Sequence, residues 1–154
     1  MERNGSNPPN EVRTLYEFAN YEMKPSLKRD DLVFPELSYE IVGCAYEVFD
    51  ELGPGHLEKI YQKAYAISLK RKEIKYSEQV YYSLKFKGEV VGKGILDFCI
   101  DEKIIVELKK DVSFSKTHIE QVLNYLKLSH LKLAILINFT KEGVKFKRIV
   151  NINQ

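Results

Sequence analysis

The sequence predicts an α/β domain with a mixed central sheet flanked by helices. Two helical patterns precede a block of strand patterns, and one further helix and two strands follow it. The run from Lys132 to Phe139 is almost unbroken apolar, as expected of a strand covered by layers on both faces. Short polar turns separate apolar runs near Glu78–Phe86, Val90–Ile100 and Lys103–Leu108, which makes them sheet neighbours.

The elements follow in order. Residues 1–36 form an extension, partly disordered or an arm, because Pro8-Pro9, Pro25 and Pro35 interrupt continuous structure. Within it, Leu15, Phe18 and Ala19 have the spacing of a short helix over Glu11 to Met23. Residues 37–154 form the domain proper. A helix starts near Leu37 with Ser38 as its N-cap, and Ile41, Cys44, Ala45, Val48 and Leu52 form its apolar face. Gly53-Pro54-Gly55 ends it. A second helix runs to about Lys72, with Leu57, Ile60, Ala64 and Ile67 as the expected buried face and Glu58, Tyr61 and Tyr65 beside it. Lys87-Gly88-Glu89 turns between the first two strands. Ser115 or Thr117 caps a third helix, whose apolar face is Ile119, Val122, Leu123 and Leu126. Gln121 and Tyr125 share another face of it at i, i+4. Val144 to Val150 closes the domain as an edge strand.

Composition narrows the classes of function. A chain of 154 residues with 44% hydrophobic and 30% charged residues is an ordinary single globular domain. No apolar run approaches the roughly 20 residues that span a bilayer. The N-terminus lacks a signal peptide's apolar segment, so a cytoplasmic location is expected and no membrane partner. Cys44 and Cys99 have no metal-type spacing and read as reduced and buried. The histidines have no zinc spacing, and no Ser-His-Asp set is evident. Gly53-Pro54-Gly55 lacks the Lys-Ser/Thr of a P-loop. Net charge is only +2, but basic residues cluster at Lys70-Arg71-Lys72 with Lys75, at Lys109-Lys110 with Lys116, and from Lys141 through Arg148. Such clusters are ordinarily solvated surface. A nucleic-acid role requires them to converge on the face carrying Asp97.

Asp97, Glu107 and Lys109 interrupt strands where core residues are expected. Carboxylates and lysines are seldom buried unless paired or bound to a metal. Two carboxylates and a lysine on neighbouring strands suit a magnesium-dependent phosphodiesterase, in which hard oxygen donors hold the cation. Alternation along strands puts Glu107 and Lys109 on one face. Asp97 joins them only if a three-residue turn, Asp101-Glu102-Lys103, sets it opposite Glu107. Plainer readings stand beside this one: Asp97 paired with Lys93 or Lys109, a buried Glu107–Lys109 ion pair, Glu58 as helix surface charge, Tyr61 as a packed aromatic with a satisfied hydroxyl, and Gln121 and Tyr125 as a polar helix edge.

Asp97 followed at a distance by Glu107-Leu108-Lys109 resembles the PD-(D/E)xK nuclease superfamily. Gly55-His56-Leu57-Glu58-Lys59-Ile60-Tyr61 resembles the Gly-x-x-Glu-x-x-Tyr signature of its GxxExxY family. His118 to Leu126, with Gln121 and Tyr125, resembles the Gln-x-x-x-Tyr helix of the exonuclease-like branch. Leu136-Ile137-Asn138-Phe139, Gly143 and Arg148-Ile149-Val150 resemble the family's closing strands. The resemblance implies a restriction-endonuclease-like core (αβββαβ) with one extra N-terminal helix and a C-terminal edge strand. It implies a nuclease using Mg²⁺ (or Mn²⁺) on DNA, in which Asp97, Glu107 and Glu58 hold the metal and Lys109 activates water. Gln121, Tyr125 and Tyr61 then contact substrate, and a homodimer is admissible. Two rivals remain: a nuclease-fold module that binds nucleic acid or protein without catalysis, and an αβ domain whose charges form an internal salt-bridge network.

Overall fold

The structure, a computed structural model, describes residues 12–14, 33–110 and 113–151. Helix α1 (Pro35–Leu52) and helix α2 (Glu58–Arg71) precede strands β2 (Tyr76–Phe86), β3 (Glu89–Ile100) and β4 (Ile104–Lys109). Helix α3 (Lys116–Ser129) follows, then β5 (Leu133–Thr140) and β6 (Gly143–Val150), while Val12–Thr14 form β1. The sheet order is β1-β6-β5-β4-β3-β2. Among the described strands only β4 and β5 run parallel, and α3 is the crossover between them. This is the mixed sheet with flanking helices of a restriction-endonuclease-like core.

Three local expectations are corrected. Val12–Thr14 pair antiparallel with β6 as a strand, where the sequence suggested helix; the rest of Glu11 to Met23 lies outside the described residues. Strand β1 thus adds a sixth strand outside β6 to the five that the sequence predicts. Helix α1 begins a turn earlier than expected, with Pro35 in its first turn, where a missing N–H costs nothing; Ser38 is buried inside that turn and is not the cap. Helix α2 is rotated from the expected setting. It buries Tyr61, Tyr65, Ser68 and Leu69, and leaves Leu57 62% and Ile67 57% exposed. Each buried tyrosine hydroxyl finds a backbone carbonyl: Tyr61 donates to Gly53 at 2.8 Å and Tyr65 to Ile41 at 2.8 Å.

The sheet separates two cores. Helices α1 and α2 pack on Phe98, Ile100, Ile104, Val106, Leu108, Ile135, Ile137 and Phe146. Helix α3, capped by the Ser115 hydroxyl, which accepts from the His118 amide at 3.1 Å, packs on Leu96, Ile105, Ala134, Leu136 and Ile149. By strand alternation, Glu107, Lys109, Asn138, Lys145 and Lys147 lie on the α3 face with Ile105, Leu136 and Ile149.

Cys44 is buried, whereas Cys99 is only partly so, against the α3 core. No described helix is long and apolar enough to cross a membrane.

Candidate active site

The β3–β4 hairpin sets the site. Its turn is Asp101-Glu102-Lys103, with Asp101 and Glu102 at φ 49° and 56° and the Lys103 amide bonded to Ile100 O at 2.9 Å. Pairing runs Ile100↔Ile104, Cys99↔Ile105 and Phe98↔Val106. The ladder ends there, and Asp97 and Glu107 are the residues that follow on the two strands.

At that point side chains replace the backbone ladder. The Asp97 amide donates to Glu107 Oε1 at 2.6 Å, and the Leu108 amide donates to Asp97 Oδ2 at 2.8 Å. Each carboxylate thus grips the opposite strand's backbone, which fixes its position. The bond is open to Glu107 because β3 changes face here. Leu96 and Cys99, an odd number of residues apart, both join the α3 core, so alternation breaks next to Asp97. Across from it in β2, Gln79 has φ 54° between the pairs Glu78↔Phe98 and Val80↔Leu96. The Asp97 amide is thereby turned from the ladder toward Glu107.

Electrostatics mark this pair. Glu107 is 6% exposed. Burial and the Asp97 charge raise its pKa from 4.5 to about 7, against the Asp97 amide and Lys109, which lower it; Glu58 raises it further. Burial also raises the Asp97 pKa, opposed by the Leu108 amide and by Lys109. The charges of Glu58 and Lys109 therefore both act at Glu107, although Glu58 comes from the first turn of α2 and lies far away in sequence. Among the described residues, no direct ion pair joins Lys109 to Asp97 or Glu107. Lys109 nonetheless lowers the pKa of both carboxylates through its charge.

No three described His, Cys, Asp or Glu side chains form a ready-made metal cage. The donors nonetheless suit a hard divalent cation. A buried carboxylate, Glu107, and a partly buried one, Asp97, repel each other, each is oriented by a backbone amide through one oxygen, and each has a second oxygen to offer.

The structure divides the expected substrate contacts. Gln121 donates through Nε2 to the Tyr82 hydroxyl at 3.1 Å, and Tyr125 meets the Tyr82 ring edge-on at 5.3 Å. Burial, with Cys99 nearby, raises the Tyr125 pKa. These two side chains therefore meet β2 and β3, not Lys109, in this structure. Tyr61 does not present itself to substrate. It is 1% exposed, stacks on Phe139 at 4.3 Å, and its hydroxyl donates to Gly53 and accepts from the His56 amide. The Tyr of the Gly-x-x-Glu-x-x-Tyr signature thus fastens α2 to the preceding turn, one helical turn after Glu58.

Sequence reasoning missed Tyr82 and Asn138. Tyr82 lies over Gly94, where an added Cβ would come within 2.2 Å of the ring, so Gly94 makes room for the ring that holds Gln121. The glycine in an otherwise apolar strand was the available signal. Asn138 is completely buried next to Lys109 in the β4–β5 register. It is a polar interruption of an apolar strand, the same signal that singles out Glu107.

A protein-family profile described as the PD-(D/E)XK nuclease superfamily matches residues 35–149, well over half of the chain. The chain belongs to the PD-(D/E)XK nuclease superfamily. Members of this superfamily are typically nucleases, and the match covers every element that builds the site. The crystal structure of SSO0001 is similar over 90% of this chain and 63% of that one, at 19% identity and a TM-score of 0.49. The chain therefore spans less than two thirds of that protein. No curated protein matches the chain.

Proposed function

We propose that this protein is a nuclease that hydrolyses phosphodiester bonds in DNA with Mg²⁺ or Mn²⁺, as a member of the GxxExxY family. The observation that carries the reading is the reciprocal bonding of Asp97 and Glu107 at the splayed end of β3 and β4, with Glu107 raised to about 7. A buried carboxylate with a second carboxylate beside it is unfavourable for folding, and a divalent ion between them would relieve that cost. The GxxExxY assignment rests on Gly55, Glu58 and Tyr61, with Glu58 acting electrostatically at Glu107 and Tyr61 anchoring the helix that carries it.

In this reading Asp97 and Glu107 would hold the cation directly, and Glu58 would complete its shell through water. When bound, it supplies Lewis-acid polarisation of the phosphate and acidifies a water. The chain's own residues do the rest. The Asp97 and Leu108 amides hold the two carboxylates in place. Lys109, on the Glu107 face but not ion-paired to it, orients the attacking water and neutralises charge that develops on the phosphate. Gln121 and Tyr125, tied to Tyr82, line the α3 side and contact substrate. Residues 37–154 form the catalytic domain, residues 1–36 an extension, and the two unbridged cysteines accord with a cytoplasmic location.

The test is incubation of purified protein with single-stranded, duplex and flapped DNA and RNA, with Mg²⁺, Mn²⁺ or EDTA. Metal-dependent cleavage that is lost in both Asp97→Asn and Lys109→Met supports the reading. Binding without cleavage under every condition would instead identify a non-catalytic nucleic-acid module.

A further inference from the structure

We infer that β6 supplies a phosphate-binding track, in which Lys145 and Lys147 continue from Lys109 across the α3 face of the sheet and receive the nucleic-acid backbone beside the Asp97–Glu107 pair. The inference rests on the nuclease reading and names the path its substrate takes.

The placement follows from register. Lys109 pairs with Asn138, and Asn138 with Lys145; one row below, Glu107 pairs with Leu136, and Leu136 with Lys147. Adjacent strands lie about 4.8 Å apart, so Lys145 stands about 10 Å from Lys109, and Lys147 about 10 Å from Glu107. Val144, Phe146 and Val150 pack toward α1 and α2, while Ile149 packs toward α3. Lys145 and Lys147 therefore share the α3 face with Ile149. Lys147 also lies over the Phe114 ring at 5.8 Å, which ties it to the entry of α3 on that face.

The strip has the chemistry a phosphodiester chain requires. Asn138, fully buried between Lys109 and Lys145, contributes no competing charge. Lys145 has Glu142 3.8 Å away, but both side chains are at least half exposed, so the pair is readily exchanged for a phosphate. Of the two basic clusters that do not include Lys109, the one on β6 shares a sheet face with Glu107 and Lys109 through Lys145 and Lys147. Lys70 and Arg71 lie in the last turn of α2, the opposite end from Glu58. At about 1.5 Å per residue, that places them roughly 20 Å further along the helix.

Counterion release provides the test. Binding of a fluorescent 20-nucleotide single strand and of its duplex is measured by anisotropy in EDTA, across a series of KCl concentrations, so that no cleavage intervenes. Each phosphate contact contributes about 0.7–0.9 to the slope of log affinity against log salt. Lys145→Gln with Lys147→Gln should lower that slope by about 1.5, at unchanged thermal stability. Lys145→Arg with Lys147→Arg should keep the wild-type slope. Lys70→Gln with Arg71→Gln, an equal change of net charge, should alter the slope by less than half a unit. Equal slopes for the β6 and α2 glutamine pairs, with wild-type binding intact, would overturn the track and leave the nuclease reading standing. No salt-dependent binding by the wild type would overturn both.

Discussion

Replacing Glu107 with glutamine should stabilise the metal-free protein at neutral and alkaline pH. The folded-state pKa of Glu107 is raised from 4.5 to about 7 by burial and by Asp97. A carboxyl raised in the folded state binds more protons folded than unfolded between those two values, so stability falls as pH rises through that window. The span is about 2.5 units, and at 1.36 kcal/mol per unit the ionised group costs about 3 kcal/mol once the pH exceeds 7. Near pH 5 the cost is about 1 kcal/mol, because the folded-state carboxyl stays protonated there. Glu107→Gln keeps an oxygen to accept the Asp97 amide, so the 2.6 Å bond survives while the charge is removed. The variant should therefore gain about 1 kcal/mol at pH 5 and about 3 kcal/mol at pH 8, a melting-temperature rise on the order of 10 °C at the higher pH. Urea denaturation in EDTA at both pH values measures this directly. Saturating Mg²⁺ should shrink the difference, since the cation stabilises only the wild-type pair. A gain that is equal at pH 5 and pH 8, or a loss at pH 8, would falsify the assignment of Glu107 as a buried, repelled carboxylate.

Three further outcomes are expected. Mg²⁺ uptake should strengthen as pH rises through about 7 and should release protons, seen by calorimetry in two buffers of different ionisation enthalpy; pH-independent affinity would place the ion elsewhere. Lys109→Met should lose cleavage by at least 100-fold in single-turnover assays, while its salt slope falls by no more than one phosphate contact, about 0.8. Tyr61→Phe should lose about 1 kcal/mol of stability, from the hydroxyl bond to Gly53, without change in cleavage rate; a catalytic defect with unaltered stability would restore a substrate role to Tyr61.

What the sequence determined by itself is the order of elements from the first helix onward and the polar character of the hairpin. Periodicity and short turns are local properties, so the helices, the strands and the buried β5 could be read in advance. The Asp101-Glu102-Lys103 turn fixes the register of the hairpin as counted, and side-chain to backbone bonds beyond the last ladder pair bring Asp97 and Glu107 together. Charges inside apolar runs conflict with burial, which is why Glu107 stood out.

Tertiary structure alone decided the rest. The setting of α2 depended on Tyr61 and Tyr65 finding carbonyls at Gly53 and Ile41, partners that no helical period reveals. Gln121 reached Tyr82 because Gly94 leaves room for the ring, a relation between β2, β3 and α3. The raised pKa of Glu107 needed the burial of β4 and the approach of Asp97 and Glu58 from two other elements. Lys145 and Lys147 read as surface charge until the parallel β4–β5 pairing and the antiparallel β5–β6 pairing set them beside Lys109 and Glu107. Local pattern specifies which elements form; long-range packing specifies which of their faces meet, and the site is made where those faces meet.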